Sequence, residues 1–457
     1  MSMRQDGAFI FYGLLVLLIV APLPWGAVLP WAQALLTFAA FALLVAWAVC
    51  PSASPASSSK GDRGLHVLLV LWALAVTFAG FQITPLPPGA IAVLSPALHD
   101  LYSWTLPGYG QDGGWRALST TPASTIQSGL LIGACGTTFF LVTHHCRGRA
   151  RLLALTLAII LVGGGEAIYG LAQVGGNLSQ PASGTFVNRN HYAALLAMAL
   201  CLGVGLLLSR WQAGAVAPVS NLHLDRWART TPLILACLAI LAGIIFSFSR
   251  IGLIAPILML VLFGGLWMFG PVSNRVRLVG AGVGLVLLLF MTGAWPAFEV
   301  MANRFRALEE TYRIAAWEGT YKLFQSSRLV GIGLGGLVDN LPRFMTAPIT
   351  ETFHHSHNEP LEVLAEGGVI YAALIGSGLV VYFGNVMPMW FKRRDPLARG
   401  LGVGCLAGVS AVLLQSLVEF PLRMPANALY LSVIMGMGWS VIQSPSLSRA
   451  SNARSVQ

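Results

Sequence analysis

A histidine-rich stretch, HHSHNEPLEVLAEGG, occupies residues 354–368 of a chain that is otherwise mostly apolar. His357 lies directly before Asn358, a preferred N-cap residue, and Pro360 is tolerated in a first helical turn. We therefore predict a helix that begins at Glu359 and continues into a membrane span. The positive end of its dipole disfavours imidazolium, and free N–H groups there can bind phosphate oxygens. The pattern predicts a proton-accepting base beside an anion site.

Two other roles for these histidines stay open on spacing alone. His355 and His357 could bind a metal together with Glu351 or Glu359, although zinc sites commonly use other spacings, such as H-x-x-x-H on one helical face. The stretch could also be a purely structural loop. We interpret His357 as a catalytic base, without a metal, because arginines from separate segments accompany it.

Three arginines near predicted membrane boundaries could bind a diphosphate. Arg250 lies in FSFSRIGLIA, Arg189 lies in SGTFVNRNHYAALLAM, and Arg313 lies on a predicted helix. Guanidinium groups bind phosphate oxygens bidentately and stabilise developing negative charge. A lone arginine at such a boundary can instead extend its charge into the interface. In the loop of Arg189, we expect Asn190 to cap the following helix.

Residues 299–326 lack proline and contain a single glycine, Gly319, which predicts a helix. One stripe of this helix suits an anionic, carbohydrate-like ligand, although a solvated face with an i,i+4 ion pair is the alternative. The stripe contains Arg306, Glu310, Arg313 and Trp317. The following GIGLGG, residues 331–336, matches the dinucleotide fingerprint G-x-G-x-x-G, but no βαβ unit surrounds it. We predict a tight turn there.

Acidic residues add two further candidates. Glu166 lies within the apolar stretch LVGGGEAIYGLAQ. Intramembrane carboxylates are functional candidates by default, so we expect Glu166 to pair with an arginine or to mark a polar cavity. Glu419 and Arg423, in VEFPLRMPAN, are expected to pair with each other in a structural role.

The composition places these residues in a polytopic membrane protein, because 56% of the chain is hydrophobic and 10% is charged. Soluble domains carry about 25% charged residues. We predict an all-α fold with about 12 transmembrane helices, each needing roughly 20 apolar residues. The closely spaced pair 231–248 and 251–270 could form a re-entrant hairpin or two tilted helices. The predicted spans are 8–23, 31–50, 65–83, 126–144, 151–175, 191–209, 231–248, 251–270, 277–296, 367–388, 400–418 and 425–442.

Lysine and arginine set the predicted orientation. Most of the 27 basic residues fall in loops on the side of the N-terminus, and the positive-inside rule therefore places both termini in the cytoplasm. Long outer loops are usually functional. The predicted organisation is residues 1–296 with nine spans and an outer loop at 84–125, a large outer loop at 297–366, three spans at 367–442, and a disordered cytoplasmic tail at 443–457.

Four features, in order along the chain, resemble the O-antigen ligase and O-antigen polymerase superfamily of bacterial membrane glycosyltransferases. They are GTFVNRNHYAALL, FSFSRIGL, YRIAAWEGTYKLFQSSRLVGIGLG and HSHNEPLEVLAEGGVIY. The last resembles the ligase pattern of His, then Asn, Ser or Gln, nine residues, Gly, two residues, and Gly, Thr or Tyr. His357, Asn358, Gly368 and Tyr371 fit this pattern, and the resemblance covers roughly residues 180–442.

The resemblance implies a GT-C-like membrane fold with a large, partly helical periplasmic loop that carries the active site. It implies a glycan donor on undecaprenyl pyrophosphate in the bacterial inner membrane, and no metal, nucleotide cofactor or nucleic-acid partner. The acceptor would be the lipid A core for a ligase, or another lipid-linked glycan for a polymerase. His357 would act as the base. The substrate-binding candidates are Arg250, Arg313, Arg189, Asn358, Arg306 and Trp317.

Three functions stay open at this point. The histidine motif favours an O-antigen ligase that inverts the anomeric centre in one displacement, and a polymerase of the same superfamily is the alternative. A polysaccharide or lipid transporter, or a flippase, is a second alternative. It is less favoured because the sequence contains no visible inverted repeat.

Overall fold

The computed structural model describes residues 6–49, 62–110, 114–175, 180–214, 223–269, 306–345 and 354–443. Within these ranges the chain forms fifteen α-helices and no strand, apart from one isolated bridge between Leu86 and Arg116. The helices are α1 Asp6–Val20, α2 Pro30–Val49, α3 Asp62–Ile83, α4 Pro88–Leu94, α5 Pro96–Thr105, α6 Pro122–His145, α7 Arg149–Val174, α8 Arg189–Gly214, α9 His223–Phe246, α10 Arg250–Met268, α11 Arg306–Ser326, α12 Leu337–Asn340, α13 Glu359–Phe391, α14 Pro396–Gln415 and α15 Pro425–Gln443.

Nine of the described helices are long and apolar enough to cross a membrane, and α1 and α9 carry shorter apolar stretches. The predicted all-α polytopic fold is therefore confirmed. Every predicted span except 277–296 coincides with one of these helices. Because residues 277–296 lie outside the described part of the chain, a total of about twelve spans stays a prediction.

The closely spaced spans form two separately packed helices. α9 packs against α7 and α8, whereas α10 packs against α8 and α14. The turn between them contains Phe248 with a positive φ of 53°. Ser249 then caps α10, because its hydroxyl accepts a hydrogen bond from the backbone N–H of Gly252 at 3.2 Å.

The centre of the bundle consists of α8, α14 and α15, which are largely buried within the protein. Gly205 of α8 lies against Gly400 and Gly404 of α14 with backbone in direct contact, and small residues commonly allow membrane helices to approach this closely. In contrast, α3 and α13 leave most of their apolar surface exposed. Such exposure is expected for helices that face lipid.

A break in α13 shapes the region that carries the histidines. Gly368 has φ 65° and ψ −171°, a conformation that interrupts the helix and favours glycine. The glycine-rich turn after α11 fills this break, and the side-chain amide of Gln82 donates to the carbonyls of Val330 and Glu366. The predicted tight turn is thus confirmed. Its backbone bonds join Ile332 to Ala365 at 3.1 Å, Gly333 to Glu366 at 3.1 Å, and Val369 to Arg328 at 2.8 Å.

Candidate functional site

Several helices begin at the same end of the bundle. The first turns of α8 and α10 lie side by side, because Gly252 packs directly against Ala193. The start of α13 joins the loop 416–424, which connects α14 to α15, through a hydrogen bond from Glu359 N to Ser416 O at 2.9 Å. Residues that are distant in sequence therefore meet at these helix starts.

Glu419 lies in the loop 416–424 and contacts the start of α8, the residues before α13, and α11. Its Oε1 accepts hydrogen bonds from Arg313 Nη2 at 2.6 Å and from Asn190 Nδ2 at 2.7 Å. Its Oε2 lies 3.0 Å from Nδ1 of His357. The carboxylate is buried, with 4% of its side chain exposed. We refer to Glu419, Arg313, Asn190 and His357 as the Glu419 cluster.

The charge state of Glu419 determines what His357 can do. Burial acts to raise the pKa of Glu419, but the hydrogen bond from His357 and the charge of Arg313 hold it below its ordinary value. An ionised carboxylate only accepts hydrogen bonds, so Nδ1 of His357 carries the hydrogen and donates it. In the neutral form of this imidazole the lone pair lies on Nε2, and 24% of the side chain is exposed.

The backbone holds this imidazole in an uncommon conformation. His357 has a positive φ of 56°, which costs a residue other than glycine about 1–3 kcal/mol and is often found at functional sites. Asn358 follows as the N-cap of α13, and its Oδ1 accepts from Leu361 N at 3.0 Å. The predicted helix start at Glu359 and its cap are both confirmed.

Phe420 separates three histidine rings. His355 stacks on it with centroids 4.2 Å apart, and the rings of His191 and His357 meet it edge-on at 4.5 Å and 4.8 Å. His355 pairs with Glu362 at 3.2 Å, a different carboxylate from the one that holds His357. Among the described residues, no group of three or more His, Cys, Asp or Glu side chains is arranged to hold a metal ion.

A second set of charges lies beyond Phe420. Arg423 Nε lies 3.1 Å from Glu362 Oε2, and its Nη2 lies 2.7 Å from Glu366 Oε2. Glu359 Oε1 accepts from the backbone N–H groups of Leu422 at 2.6 Å and of Arg423 at 3.2 Å. We refer to Arg423, Glu359, Glu362 and Glu366 as the Arg423 cluster.

The expected pair between Glu419 and Arg423 is therefore wrong. Arg423 ends the short 3-10 helix Pro421–Arg423, which follows Phe420, and the side chains of Glu419 and Arg423 enter different networks. Burial alone would lower the pKa of Arg423. The surrounding carboxylates outweigh burial and hold that pKa above its ordinary value.

The other predicted substrate-binding residues occupy the starts of α8 and α10, or α11. Arg189 and Arg250 are the first residues of α8 and α10, and both are partly exposed. Trp317 follows Arg313 by one turn of α11, and within the described part of the protein its buried indole N–H has no hydrogen-bond partner. Arg306 begins α11, but its side chain lies outside the described residues.

Two polar residues have partners other than those expected. Asn188, rather than Asn190, provides the capping contact of α8, because its Oδ1 accepts from Asn190 N at 2.8 Å. The side-chain amide of Asn190 donates to Glu419 instead. Both oxygen atoms of Glu166 contact Thr185 rather than an arginine, at 2.9 Å from its backbone N and 2.9 Å from its Oγ1.

Comparison with known sequences identifies one matching family. A family model described as O-antigen ligase matches residues 235–376, which include Arg250, Arg313 and His357. Asn190 and Glu419 lie outside the matched range. Comparison with curated proteins returns no match to this chain.

Proposed function

Since residues 235–376 place this chain in the O-antigen ligase and polymerase superfamily of membrane glycosyltransferases, we propose that it is an inverting, metal-independent O-antigen ligase. Its donor would be a glycan on undecaprenyl pyrophosphate, and its acceptor a hydroxyl of the lipid A core. A polymerase, which would use another lipid-linked glycan as acceptor, is the alternative within the superfamily.

The observation that carries the proposal is the bridge that Glu419 makes between His357 and Arg313. The same carboxylate lies 3.0 Å from the imidazole and 2.6 Å from the guanidinium. It thereby holds a proton acceptor next to an anion-binding group, each with a partly exposed side chain. Transfer from a sugar pyrophosphate requires these two functions, base and anion stabilisation, side by side.

The reaction is a single displacement. Nε2 of His357 takes the proton of the acceptor hydroxyl as the acceptor oxygen attacks the anomeric carbon of the donor. The bond from that carbon to the pyrophosphate oxygen breaks, and its electron pair leaves with the pyrophosphate. Attack from the opposite face inverts the anomeric centre. The imidazolium that forms is stabilised by its contact with the Glu419 carboxylate.

Arginine side chains stabilise the departing pyrophosphate in this scheme. Arg313 has five N–H donors, and its hydrogen bond to Glu419 uses Nη2, which leaves donors on the guanidinium for phosphate oxygens. Arg250 and Arg189 begin helices, where backbone N–H groups and the helix dipole also favour anions. Trp317 and Asn358 complete the proposed substrate contacts, together with Arg306.

The proposed orientation places the Glu419 cluster at the periplasmic face of the inner membrane and both termini in the cytoplasm. Basic residues at the opposite end of the bundle support it. There Arg147 and Arg151 donate to the carbonyls of Thr143 and His145 at 2.8 Å and 2.7 Å. Positive charge of this kind is typical of cytoplasmic loops.

Reconstitution of the purified protein tests the function. The protein would receive an undecaprenyl-pyrophosphate glycan with either lipid A core or a second lipid-linked glycan as acceptor, in buffer with EDTA. Glycan transfer to the lipid A core, with inversion detected by NMR of the new linkage, is expected. Chain extension on the lipid carrier alone would identify a polymerase. Transport of the lipid-linked glycan without any transfer would overturn the enzyme assignment.

A further inference from the structure

Glu166 and Thr185 form a contact with one hydrogen too few if the glutamate is ionised. The hydroxyl oxygen of Thr185 lies 2.8 Å from the carbonyl oxygen of Pro22 and 2.9 Å from Oε1 of Glu166. Both distances are those of complete O–H···O hydrogen bonds. A threonine hydroxyl has one hydrogen, and a carbonyl can only accept. If Thr185 donates to Pro22, the second bond needs a hydrogen on Glu166.

The second oxygen of Glu166 is consistent with that assignment. Oε2 accepts the backbone N–H of Thr185 at 2.9 Å, so a protonated carboxyl would donate through Oε1 and accept through Oε2. The side chain lies within the apolar helix α7 and is 4% exposed. Among the described residues, Glu166 makes no ion pair. A neutral carboxyl is far less costly than a carboxylate in such surroundings.

The segment that Glu166 holds, residues 180–188, leads directly into the Glu419 cluster. Gly184 has φ 57°, and a Cβ there would overlap Oε2 of Glu166. Gln173, two turns along α7, donates to the Gly184 carbonyl at 2.7 Å. Ala182 N donates to Phe246 O at 2.9 Å, at the end of α9. These contacts fix the segment immediately before Thr185.

From this segment the chain passes to α8 and its two asparagines. Asn188 caps the helix, and Asn190 donates to Glu419 at 2.7 Å. Glu419 in turn holds His357. A shift of the segment that contains Thr185 would therefore move the amide of Asn190 away from the carboxylate that orients the proposed base.

We propose that Glu166 is a neutral carboxylic acid that donates a hydrogen bond to Thr185 and thereby positions Asn190 against Glu419. Glu166 is a positioning residue in this proposal, because it acts through the segment 180–188 and touches no substrate. Its influence on glycan transfer rests on the proposed function, whereas its protonation state does not.

Infrared difference spectroscopy measures the protonation state without any substrate. The spectrum of the purified protein at pH 7, minus that of Glu166→Gln, should show the carbonyl stretch of one protonated carboxylic acid. A difference band of an ionised carboxylate in its place would overturn the proposal. Because no glycan is involved, this result stands even if the protein proves not to be a transferase.

Substitutions then test the positioning role. Glutamine can donate through its amide and accept through its oxygen, so Glu166→Gln should retain transfer within about twofold. Glu166→Ala loses both hydrogen bonds and should lower kcat about tenfold. If Glu166→Gln loses as much activity as Glu166→Ala, the carboxyl group itself is required and the neutral-acid assignment fails.

Thr185 provides the matched control pair. Thr185→Ser keeps the hydroxyl and should keep activity, whereas Thr185→Val keeps the shape, removes the hydroxyl and should lower kcat as Glu166→Ala does.

A double variant tells positioning from a general loss of folding. Glu166→Ala and Asn190→Ala act through the same contact with Glu419, so the double variant should lose no more kcat than the more impaired of the two single variants. Independent effects would multiply. Multiplied losses, or losses matched by falling amounts of folded protein, would overturn the positioning role.

Discussion

The Glu419 cluster and the Arg423 cluster lie on either side of Phe420. The first combines one glutamate with an arginine and a histidine, and the second combines three glutamates with an arginine and a neighbouring histidine. In the Glu419 cluster, one carboxylate receives three donors from three segments of the chain. In the Arg423 cluster, one guanidinium lies between the carboxylates of Glu362 and Glu366. The arrangement of charges is thus inverted, with an anion at the centre of the first and a cation at the centre of the second.

We interpret this difference as that between the proposed reactive site and a scaffold. The carboxylate at the centre of the Glu419 cluster is buried, but Arg313 and His357 have 30% and 24% of their side chains exposed. In the Arg423 cluster the glutamates bind internal backbone groups, such as Leu422 N on Glu359 and Leu337 N on Glu366. Arg423 itself is 21% exposed, so the clusters differ in what their groups bind. The Arg423 cluster holds the start and the break of α13 in place, whereas in the Glu419 cluster the proposed base and the proposed anion-binding group share one carboxylate.

The largest effect is expected from His357→Asn. Asparagine tolerates the left-handed backbone at this position and can still donate to Glu419, so folding should be preserved. It cannot accept a proton as imidazole does, and general base catalysis contributes about 10²–10⁴-fold. We expect glycan transfer to fall by that factor, measured by reconstitution with the lipid-linked donor.

His354→Asn is the matched control, because His354 is exposed and lies three residues away. It should retain transfer. Equal losses in both variants would indicate that the stretch has a structural role and that His357 is not the base.

Arg423→Met tests the other side of the comparison. Removing the guanidinium leaves the carboxylates of Glu362 and Glu366, which are 0% and 2% exposed, without their cation. Breaking a buried pair in this way costs about 3–5 kcal/mol of folding free energy. We expect a large fall in thermal stability in detergent. The start of α13, which directly follows the histidines, should lose its helical structure.

Arg343→Met provides the comparison for Arg423, since Arg343 is an exposed arginine. The free energy of unfolding of this variant should differ from that of the wild type by no more than about 0.5 kcal/mol. If the two variants melt at the same temperature, the Arg423 cluster does not act as a scaffold.

Local sequence patterns predicted the parts of this region that depend on local physics. The cap at Asn358, the helix from Glu359 and the tight turn at 331–336 follow from residue preferences within a few positions. The partners of Glu419 do not, because Arg313 and Asn190 are 106 and 229 residues away along the chain. Arg423 was predicted as the partner of Glu419 because it is close in sequence. That prediction is wrong, because Phe420 and the turn after it lead the two side chains into different networks.

Glu419→Gln is expected to have an intermediate effect. The amide keeps the shape but removes the negative charge that fixes Nδ1–H of His357 and offsets the imidazolium. Hydrogen bonds to charged groups are worth about 1.5–3 kcal/mol, which corresponds to about 10- to 150-fold in rate. We expect kcat to fall by this factor with little change in KM.

Glu318→Gln is a suitable control, because Glu318 is an exposed carboxylate on α11. It should leave kcat unchanged. A change confined to KM in Glu419→Gln would show that Glu419 acts on substrate binding and not on the imidazole.

The smallest effect concerns the pH dependence of stability. The pKa of Glu419 lies below its ordinary value of 4.5 in the folded protein, because the hydrogen bond from His357 and the charge of Arg313 outweigh its burial. Its contribution to stability is therefore complete above pH 4.5 and is lost as the pH falls towards the lower, folded-state pKa. Thermal melting should show less acid sensitivity in Glu419→Gln than in the wild type, whereas Glu318→Gln should follow the wild type. Parallel acid profiles for all three proteins would mean that Glu419 is not held ionised by its partners. The tautomer that leaves Nε2 of His357 free to accept a proton would then lose its physical basis, and the contrast with the Arg423 cluster would lose its chemical meaning.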